Sequence, residues 1–270
     1  MNNIEVKSEG EFKYIESNPD APVTLILLHG LMGALSNFEG IISNFGKKFN
    51  VAVPILPLFD ISLRHISVSR LVTYVSEFVE YKGYQDFYIL GNSLGGHIAQ
   101  MYTMENPHKV KGLILTGSSG LFESAMGNTF PKRGNKEYIR KKTESVFYDP
   151  KVATEELVDE VFSTVTDLRK AMNVVALAKS AVRHNLEDKL YQITIPTLLI
   201  WGIQDEVTPL WVGEKFHEML INSELVKVDK CGHAPMMEKP EVFNQALECF
   251  IGRVESGKFY SEKKEARVVE

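Results

Sequence analysis

A serine lies between glycines in the segment GNSLG (residues 91–95), directly after the short apolar run 87–90. A serine in a sharp turn between a strand and a helix has its hydroxyl at the carboxyl edge of the sheet, beside the helix N-terminus. Glycines two positions before and after it remove side chains that would clash in such a strained turn. The spacing therefore predicts that Ser93 is a nucleophile, with a plain glycine-rich turn as the alternative.

A nucleophilic serine needs a general base and an acid that orients the base. His233 is preceded by a glycine and follows the last predicted strand, from which a side chain reaches the top of the sheet. Asp205 lies just past another strand, in GIQDEVTP (residues 202–209), and its neighbour Glu206 is expected to point elsewhere. Taken alone, each residue also fits a structural role in a loop or turn. The order Ser93, Asp205, His233 is typical of triads on a sheet of this type.

Backbone donors for a developing oxyanion are expected from two segments. Leu31 belongs to LLHGLMG (residues 27–33), which follows the first strong strand, and its N–H is one candidate donor. The N–H of Leu94, the residue after the predicted nucleophile, is the other. Losing one such donor typically costs about 3–4 kcal/mol of transition-state stabilisation. His29 is expected to be a structural residue of its loop rather than a second base.

Short apolar runs alternate with helical patterns along most of the chain, and they are the elements that must position these residues. The runs that predict strands are 23–28, 49–56, 87–90, 112–117, 197–202 and 224–229. The stretches that predict helices are 36–44, 66–81, 94–104, 210–220 and 241–251. Apolar runs without polar alternation are typical of strands buried on both faces. The order therefore predicts an α/β fold, with a mostly parallel sheet and helices on both faces.

Residues 121–189 interrupt this alternation, because they contain no convincing strand and their later part indicates two or three helices. Thr154, followed by acidic residues, resembles a helix start. The pattern predicts a helical cap inserted between two parts of an α/β core, residues 1–120 and 190–270. The charged last residues, 257–270, are expected to form a frayed helix or a loose tail.

Composition narrows the classes of function. The chain has 270 residues and a formal net charge of −5, which weakly disfavours nucleic-acid binding. Its two cysteines give no disulfide framework, and no metal-ligand spacing or phosphate-binding loop occurs. The first residues resemble neither a secretory signal nor a membrane anchor. We therefore expect a cytoplasmic protein that acts on a small molecule without a metal or cofactor and without a membrane partner; its oligomeric state is left open.

The motifs together resemble the α/β-hydrolase superfamily in its form with a helical cap. The resemblance covers nearly all of residues 23–251 and lies in HG, GNSLGG, the aspartate of GIQDEVTP, and GHAPMMEKPE. It implies an α/β-hydrolase fold with a Ser93–His233–Asp205 triad. The activity that it implies is hydrolysis of a small ester or thioester, as in carboxylesterases.

The serine motif also resembles that of C–C hydrolases that cleave ring-fission dienones, as do KCGH and SNF. Asn92 before the serine carries this likeness. Ala234, however, stands where that group usually has tryptophan, and neither Arg169 nor Arg183 matches its cap arginine. C–C hydrolysis, acyl transfer and ligand binding without catalysis are therefore the alternatives to ester hydrolysis.

Pocket residues are expected from the loops around the triad and from the cap. The candidates are Asn37, Asn92, Phe122, Phe147 and Ala234. Other apolar residues of the cap either line the pocket or pack within the cap, namely Leu121, Val161, Phe162, Met172 and Val175.

Overall fold

The structure is a computed structural model, and it describes residues 5–33, 35–122, 132–260 and 266–270. Part of the predicted cap, residues 123–131, and part of the predicted tail, residues 261–265, lie outside the described residues.

The strands form one mixed sheet, in which most neighbours are parallel. They are β1 (Lys7–Glu9), β2 (Phe12–Ser17), β3 (Thr24–Leu28), β4 (Asn50–Pro54), β5 (Phe87–Asn92), β6 (Val110–Thr116), β7 (Thr197–Gly202), β8 (Ser223–Val228) and β9 (Arg267–Val269). Their order in the sheet is β1-β2-β4-β3-β5-β6-β7-β8-β9. β2 pairs antiparallel with β1 and β4, and all other neighbours pair parallel. The α/β prediction is confirmed.

Helices connect the parallel strands. They are α1 (Glu39–Phe45), α2 (Val68–Lys82), α3 (Leu94–Glu105), α4 (Lys136–Glu144), α5 (Glu155–Thr166), α6 (Leu168–Arg183), α7 (Leu210–Met219), α8 (Pro235–Glu238) and α9 (Pro240–Glu255). Among the residues that the structure describes, no helix has the length and apolar character that crossing a bilayer requires.

The core has two halves, one on each face of the sheet. In β3, Ile26 and Leu28 pack into one buried cluster, to which α2, α3 and α7 contribute. Leu25 and Leu27 point to the opposite face and pack into a second cluster with α1 and α9. Because both faces are covered, every position on such a strand is apolar, which is why the strand patterns lack polar alternation.

Capping residues set the helix ends more sharply than periodicity does. The predicted helix 66–81 begins at Val68, because the Ser67 hydroxyl accepts a hydrogen bond from the Arg70 N–H. Gly83 ends it in the left-handed conformation, with φ +66°.

The expectation for residues 257–270 is wrong at 267–269, which form β9. This strand pairs parallel with β8, and the Asp229 N–H donates to the Val269 carbonyl oxygen at 2.9 Å. A strand of three residues has no periodicity of its own, and the edge of β8 supplies its conformation. The sequence prediction also omits β1 and β2, which extend the sheet at its other end.

The segment between β6 and β7 carries α4, α5 and α6, and its described residues contain no strand. Thr154 caps α5 by accepting from the Leu157 N–H, as the sequence suggests. α4 and α5 share a small apolar cluster of their own, whose buried members are Ile139, Val161 and Val165. α6 instead packs into the main core. The division of the chain into core and cap stays a prediction.

Candidate active site

Ser93 occupies a strained turn between β5 and α3. Its backbone has φ +54° and ψ −120°, a conformation that costs a non-glycine residue of order 1–3 kcal/mol. The flanking glycines are a steric requirement, because a Cβ at Gly95 would overlap the Leu28 carbonyl oxygen and a Cβ at Gly91 would overlap the backbone of Gly95. The Ser93 N–H donates to the Thr116 carbonyl oxygen at 3.2 Å, which holds the turn against β6. The turn thus presents Ser93 at the carboxyl edge of the sheet.

His233 and Asp205 form a buried pair at the ends of β8 and β7. His233 Nδ1 lies 2.9 Å from Asp205 Oδ2. Asp205 Oδ1 accepts from the N–H groups of Val207 at 2.8 Å and Thr208 at 2.9 Å. The Thr208 hydroxyl donates to Asp205 Oδ2 at 2.9 Å. The carboxylate is therefore fixed from several directions, and a proton on Nδ1 leaves Nε2 of His233 as the basic nitrogen.

Contacts from three segments hold the loop of His233. Its N–H donates to the Val146 carbonyl oxygen at 2.9 Å. Gly117 has φ +50°, and a Cβ there would lie 2.7 Å from His233 Nδ1. The Asn92 amide donates to the carbonyl oxygens of Thr116 at 3.1 Å and His233 at 3.3 Å. Asn92, predicted as a pocket residue, thus also connects the serine turn to the histidine loop.

Ser93 and His233 line the same cavity, whose volume is about 300 Å³. The predicted pocket residues Asn37, Asn92, Phe147 and Ala234 line it too, as does Val161. Phe122 instead lines a second cavity of about 40 Å³. The remaining apolar candidates of the cap line neither cavity, namely Leu121, Phe162, Met172 and Val175.

The two predicted oxyanion donors lie beside the nucleophile. Leu31 follows Gly30 in a tight turn, in which the Gly33 N–H donates to the Gly30 carbonyl oxygen at 3.1 Å. A Cβ at Gly30 would lie 3.1 Å from the Cβ of Ser93, so this loop passes directly alongside the serine. Leu94 is the first residue of α3, where backbone N–H groups have no partner within the helix. The assignment of these two N–H groups stays a prediction.

His29 makes hydrogen bonds of a structural kind. Its Nε2 accepts from the Leu56 N–H at 3.1 Å, and its Nδ1 lies 2.9 Å from the Gly30 carbonyl oxygen. Burial lowers the pKa of His29 and favours the neutral imidazole. The residue therefore ties the loop after β3 to the segment after β4.

Glu238 is a site residue that sequence reasoning missed. Its Oε1 accepts from the Gly232 N–H at 2.7 Å, and its Oε2 accepts from the Tyr148 N–H at 2.7 Å and the Asp149 N–H at 3.3 Å. Burial raises the pKa of its carboxyl group. It lies in the GHAPMMEKPE motif, which is the signal that points to it.

Two further charged residues line the larger cavity. Lys142, near the end of α4, and Glu206, next to Asp205, are both exposed. Glu206 thus lines the cavity, while the carboxylate of its neighbour Asp205 contacts His233. Nothing in the local sequence around Lys142 indicates this position.

Three features of this structure are typical of the α/β hydrolases. They are the mostly parallel sheet, the strained serine between a strand and a helix, and the histidine–aspartate pair at neighbouring strand ends. The alpha/beta hydrolase fold family matches residues 23–240. The chain belongs to this family, and it is a hydrolytic enzyme.

Three known proteins illustrate the range of its relatives. An α/β hydrolase enzyme, MGS-MChE2, from the metagenome of sediments of the Mar Chica lagoon is 41% identical, with a TM-score of 0.77 over 93% of this chain and 99% of that one. The monoacylglycerol lipase ABHD6 of Bos taurus is 24% identical over 88% of this chain and 78% of the lipase. A 2-hydroxy-6-oxononadienedioate/2-hydroxy-6-oxononatrienedioate hydrolase of Pseudomonas sp. is 25% identical over 91% of this chain and 95% of the hydrolase.

Proposed function

We propose that this enzyme is a serine hydrolase that cleaves small esters or thioesters with Ser93 as nucleophile, His233 as base and Asp205 as orienting acid. The observation that carries the proposal is the 2.9 Å contact between His233 Nδ1 and Asp205 Oδ2, in a site where His233 and the strained Ser93 line one cavity. The name of the lipase ABHD6, a relative at 24% identity, supports ester hydrolysis.

The first half-reaction forms an acyl-enzyme. His233 Nε2 takes the proton of Ser93 Oγ as this oxygen bonds to the substrate carbonyl carbon. The N–H groups of Leu31 and Leu94 stabilise the negative charge on the carbonyl oxygen. The intermediate then collapses, the bond from carbon to the leaving oxygen breaks, and the proton on His233 moves to that oxygen.

The second half-reaction releases the acid. A water molecule gives a proton to His233 as its oxygen bonds to the acyl carbon, and collapse breaks the bond between that carbon and Ser93 Oγ. The proton returns to Ser93, so the enzyme is regenerated and no cofactor is consumed. Asp205 keeps Nδ1 of His233 protonated in both halves. The helices of residues 121–189 act as a cap that shields the substrate from water.

A fluorophosphonate probe tests the nucleophile. We expect one covalent adduct, which mass spectrometry locates at Ser93, and no adduct in Ser93→Ala. Ser256→Ala, at the end of α9 and far along the chain from the site, is the matched control and keeps the label. A folded wild-type sample that stays unlabelled would show that Ser93 is no nucleophile and would favour ligand binding without catalysis.

C–C bond hydrolysis is the second candidate, and the relative named as a dienedioate hydrolase favours it. The position of Asn92 before the serine supports the same reading. Parallel assays of p-nitrophenyl esters and a dienone keto-acid separate the two candidates. Rapid cleavage of the dienone together with negligible ester turnover would replace ester hydrolysis by C–C hydrolysis.

A further inference from the structure

Two cavities of unequal size meet at Ser93. The larger is about 300 Å³ and the smaller about 40 Å³, and Ser93 and Leu31 line both. One water molecule needs about 10–15 Å³ of such space, so the smaller cavity holds roughly two to four non-hydrogen atoms. The larger cavity therefore offers a substituent on a carbonyl carbon bonded to Ser93 several times more room than the smaller cavity does.

The walls of the smaller cavity are held by packing. Leu177 and Ala181 of α6 line it and belong to the buried core. Ala178 and Phe122 are further apolar residues of the wall. The Phe122 ring contacts Trp211 edge to face, with ring centroids 5.1 Å apart. Leu177 and Ala181 are held by neighbouring core residues, so the side of the smaller cavity that they form cannot move without displacing packed groups.

The position of His233 decides which half of an ester goes where. His233 lines the larger cavity and is absent from the walls of the smaller one. Its Nδ1 faces Asp205, so the proton for the leaving oxygen comes from Nε2. The leaving alcohol must therefore lie in the larger cavity, and the smaller cavity receives the acyl group.

The larger cavity suits an apolar alcohol. Its walls carry the side chains of Met32, Phe147, Leu157, Val161 and Met237. Burial of an alkyl or aryl group against these side chains removes apolar surface from water and thus favours binding.

We propose, on the basis of the function proposed above, that the preferred substrates are esters in which a short acyl group, such as acetyl or propionyl, is joined to a larger apolar alcohol. The sizes of the two cavities and the side on which His233 lies carry this assignment.

A pair of isomeric esters tests the assignment directly. Hexyl acetate and methyl heptanoate have the same atoms, but the long chain is on opposite sides of the carbonyl. We expect kcat/KM to be at least about tenfold higher for hexyl acetate, since a misfit of even one methylene changes the rate by about this factor. Equal rates, or faster cleavage of methyl heptanoate, would overturn the assignment.

The same experiment separates this inference from the proposed function. If the fluorophosphonate labels Ser93 but neither hexyl acetate nor another short-acyl ester is cleaved, the inference fails while the nucleophile stands. If Ser93 remains unlabelled, the proposed function fails and the inference fails with it.

Two matched variants test whether the acyl group lies in the smaller cavity. Phe122→Ala removes a wall of that cavity, and we expect it to raise the butanoyl-to-acetyl ratio of kcat/KM for p-nitrophenyl esters about tenfold. Leu157→Ala removes a wall of the larger cavity and is the control. We expect it to keep the wild-type butanoyl-to-acetyl ratio of kcat/KM. The ratio of kcat/KM for hexyl acetate to that for methyl acetate should change in this variant. A butanoyl-to-acetyl ratio that responds to Leu157→Ala and not to Phe122→Ala would contradict the proposal.

Discussion

At the residue scale, Thr208 determines how firmly Asp205 is held. Both its N–H and its hydroxyl donate to the carboxylate, each at 2.9 Å. Its hydroxyl oxygen also lies 3.3 Å from His233 Nδ1. Thr208 is thus a positioning residue, which acts on the reaction through Asp205.

Thr208→Val keeps the shape of the side chain and removes the hydroxyl. We expect kcat to fall by about one to two orders of magnitude, because a hydrogen bond to a charged group contributes about 1.5–3 kcal/mol. KM should stay close to the wild-type value, since valine has nearly the volume of threonine and leaves this wall of the smaller cavity in place. Steady-state kinetics on a short-acyl ester measure both constants.

Thr208→Ser is the matched variant, because it restores the hydroxyl with a smaller side chain. Recovery of most of kcat in Thr208→Ser is the expected result. If Thr208→Val turns over at the wild-type rate with its fold intact by circular dichroism, the hydroxyl has no role in positioning the acid.

The candidate triad is predictable from the sequence because each of its members lies within five residues after the carboxyl end of a parallel strand. The serine turn, Asp205 and His233 therefore meet at one edge of the sheet, whatever lies between them. Thr208 and Gly117 were not predictable as site residues. The contacts of Gly117 and Thr208 with His233 join residues that are distant in the chain, and no local pattern encodes them. The contact of Thr208 with Asp205 is local, but the sequence prediction did not single it out.

At the element scale, Glu238 connects the histidine loop to the segment after α4. One carboxylate oxygen accepts from the Gly232 N–H and the other from the Tyr148 and Asp149 N–H groups. The same two segments are joined by the hydrogen bond from the His233 N–H to the Val146 carbonyl oxygen. The wall of the larger cavity and the loop of the base are therefore tied together by the Glu238 carboxylate and by this backbone hydrogen bond.

Glu238→Gln replaces one acceptor oxygen by an NH₂ group that faces backbone N–H donors. We expect the free energy of unfolding to fall by about 1–3 kcal/mol, because a buried donor loses its partner. We also expect kcat/KM to fall, since His233 is less well placed. Urea denaturation and ester kinetics measure the two effects.

Glu241→Gln, at an exposed position of α9, is the control and should retain wild-type stability and rate. A Glu238→Gln enzyme that matches this control would show that the carboxylate does not hold the two segments together.

The strands that are buried on both faces were predictable, because six apolar runs correspond to β3 to β8. β1, β2 and β9 were not. β2 has no continuous apolar run, because Lys13 is exposed between the buried Phe12 and Tyr14, and Glu16 and Ser17 follow Ile15. β1 and β9 have three residues each and take their conformation from a neighbouring strand.

At the scale of the whole molecule, buried histidines make stability depend on pH. His97 is fully buried in α3, and its Nε2 lies 2.9 Å from the His184 carbonyl oxygen. Burial lowers the pKa of His97 from 6.5 to about 4. Burial lowers the pKa of His29 as well. Acidification therefore protonates these groups in the unfolded chain before it protonates them in the folded one.

We expect the free energy of unfolding to decrease as the pH falls from 6.5 toward about 4. The sign follows because the unfolded state binds more protons than the folded state in this range, and His97 accounts for about 3 kcal/mol of the decrease. Above pH 6.5 the imidazole of His97 is neutral in both the folded and the unfolded state, so its contribution to the free energy of unfolding does not change with pH. Urea denaturation at a series of pH values measures the slope.

His97→Gln should reduce the slope, whereas His108→Asn, at an exposed position, should leave it as in the wild type. An unchanged slope in His97→Gln would mean that other groups cause the loss of stability in acid.

The sheet ends at both sides in strands of three residues, β1 and β9. An edge strand exposes unpaired N–H and C=O groups, and a long one is a template on which another chain can add as a further strand. The longer strands β2 and β8 are each covered by one of these short strands, and β1 carries the charged residues Lys7 and Glu9. The two short strands therefore protect the protein against edge-to-edge aggregation, a role that is separate from catalysis.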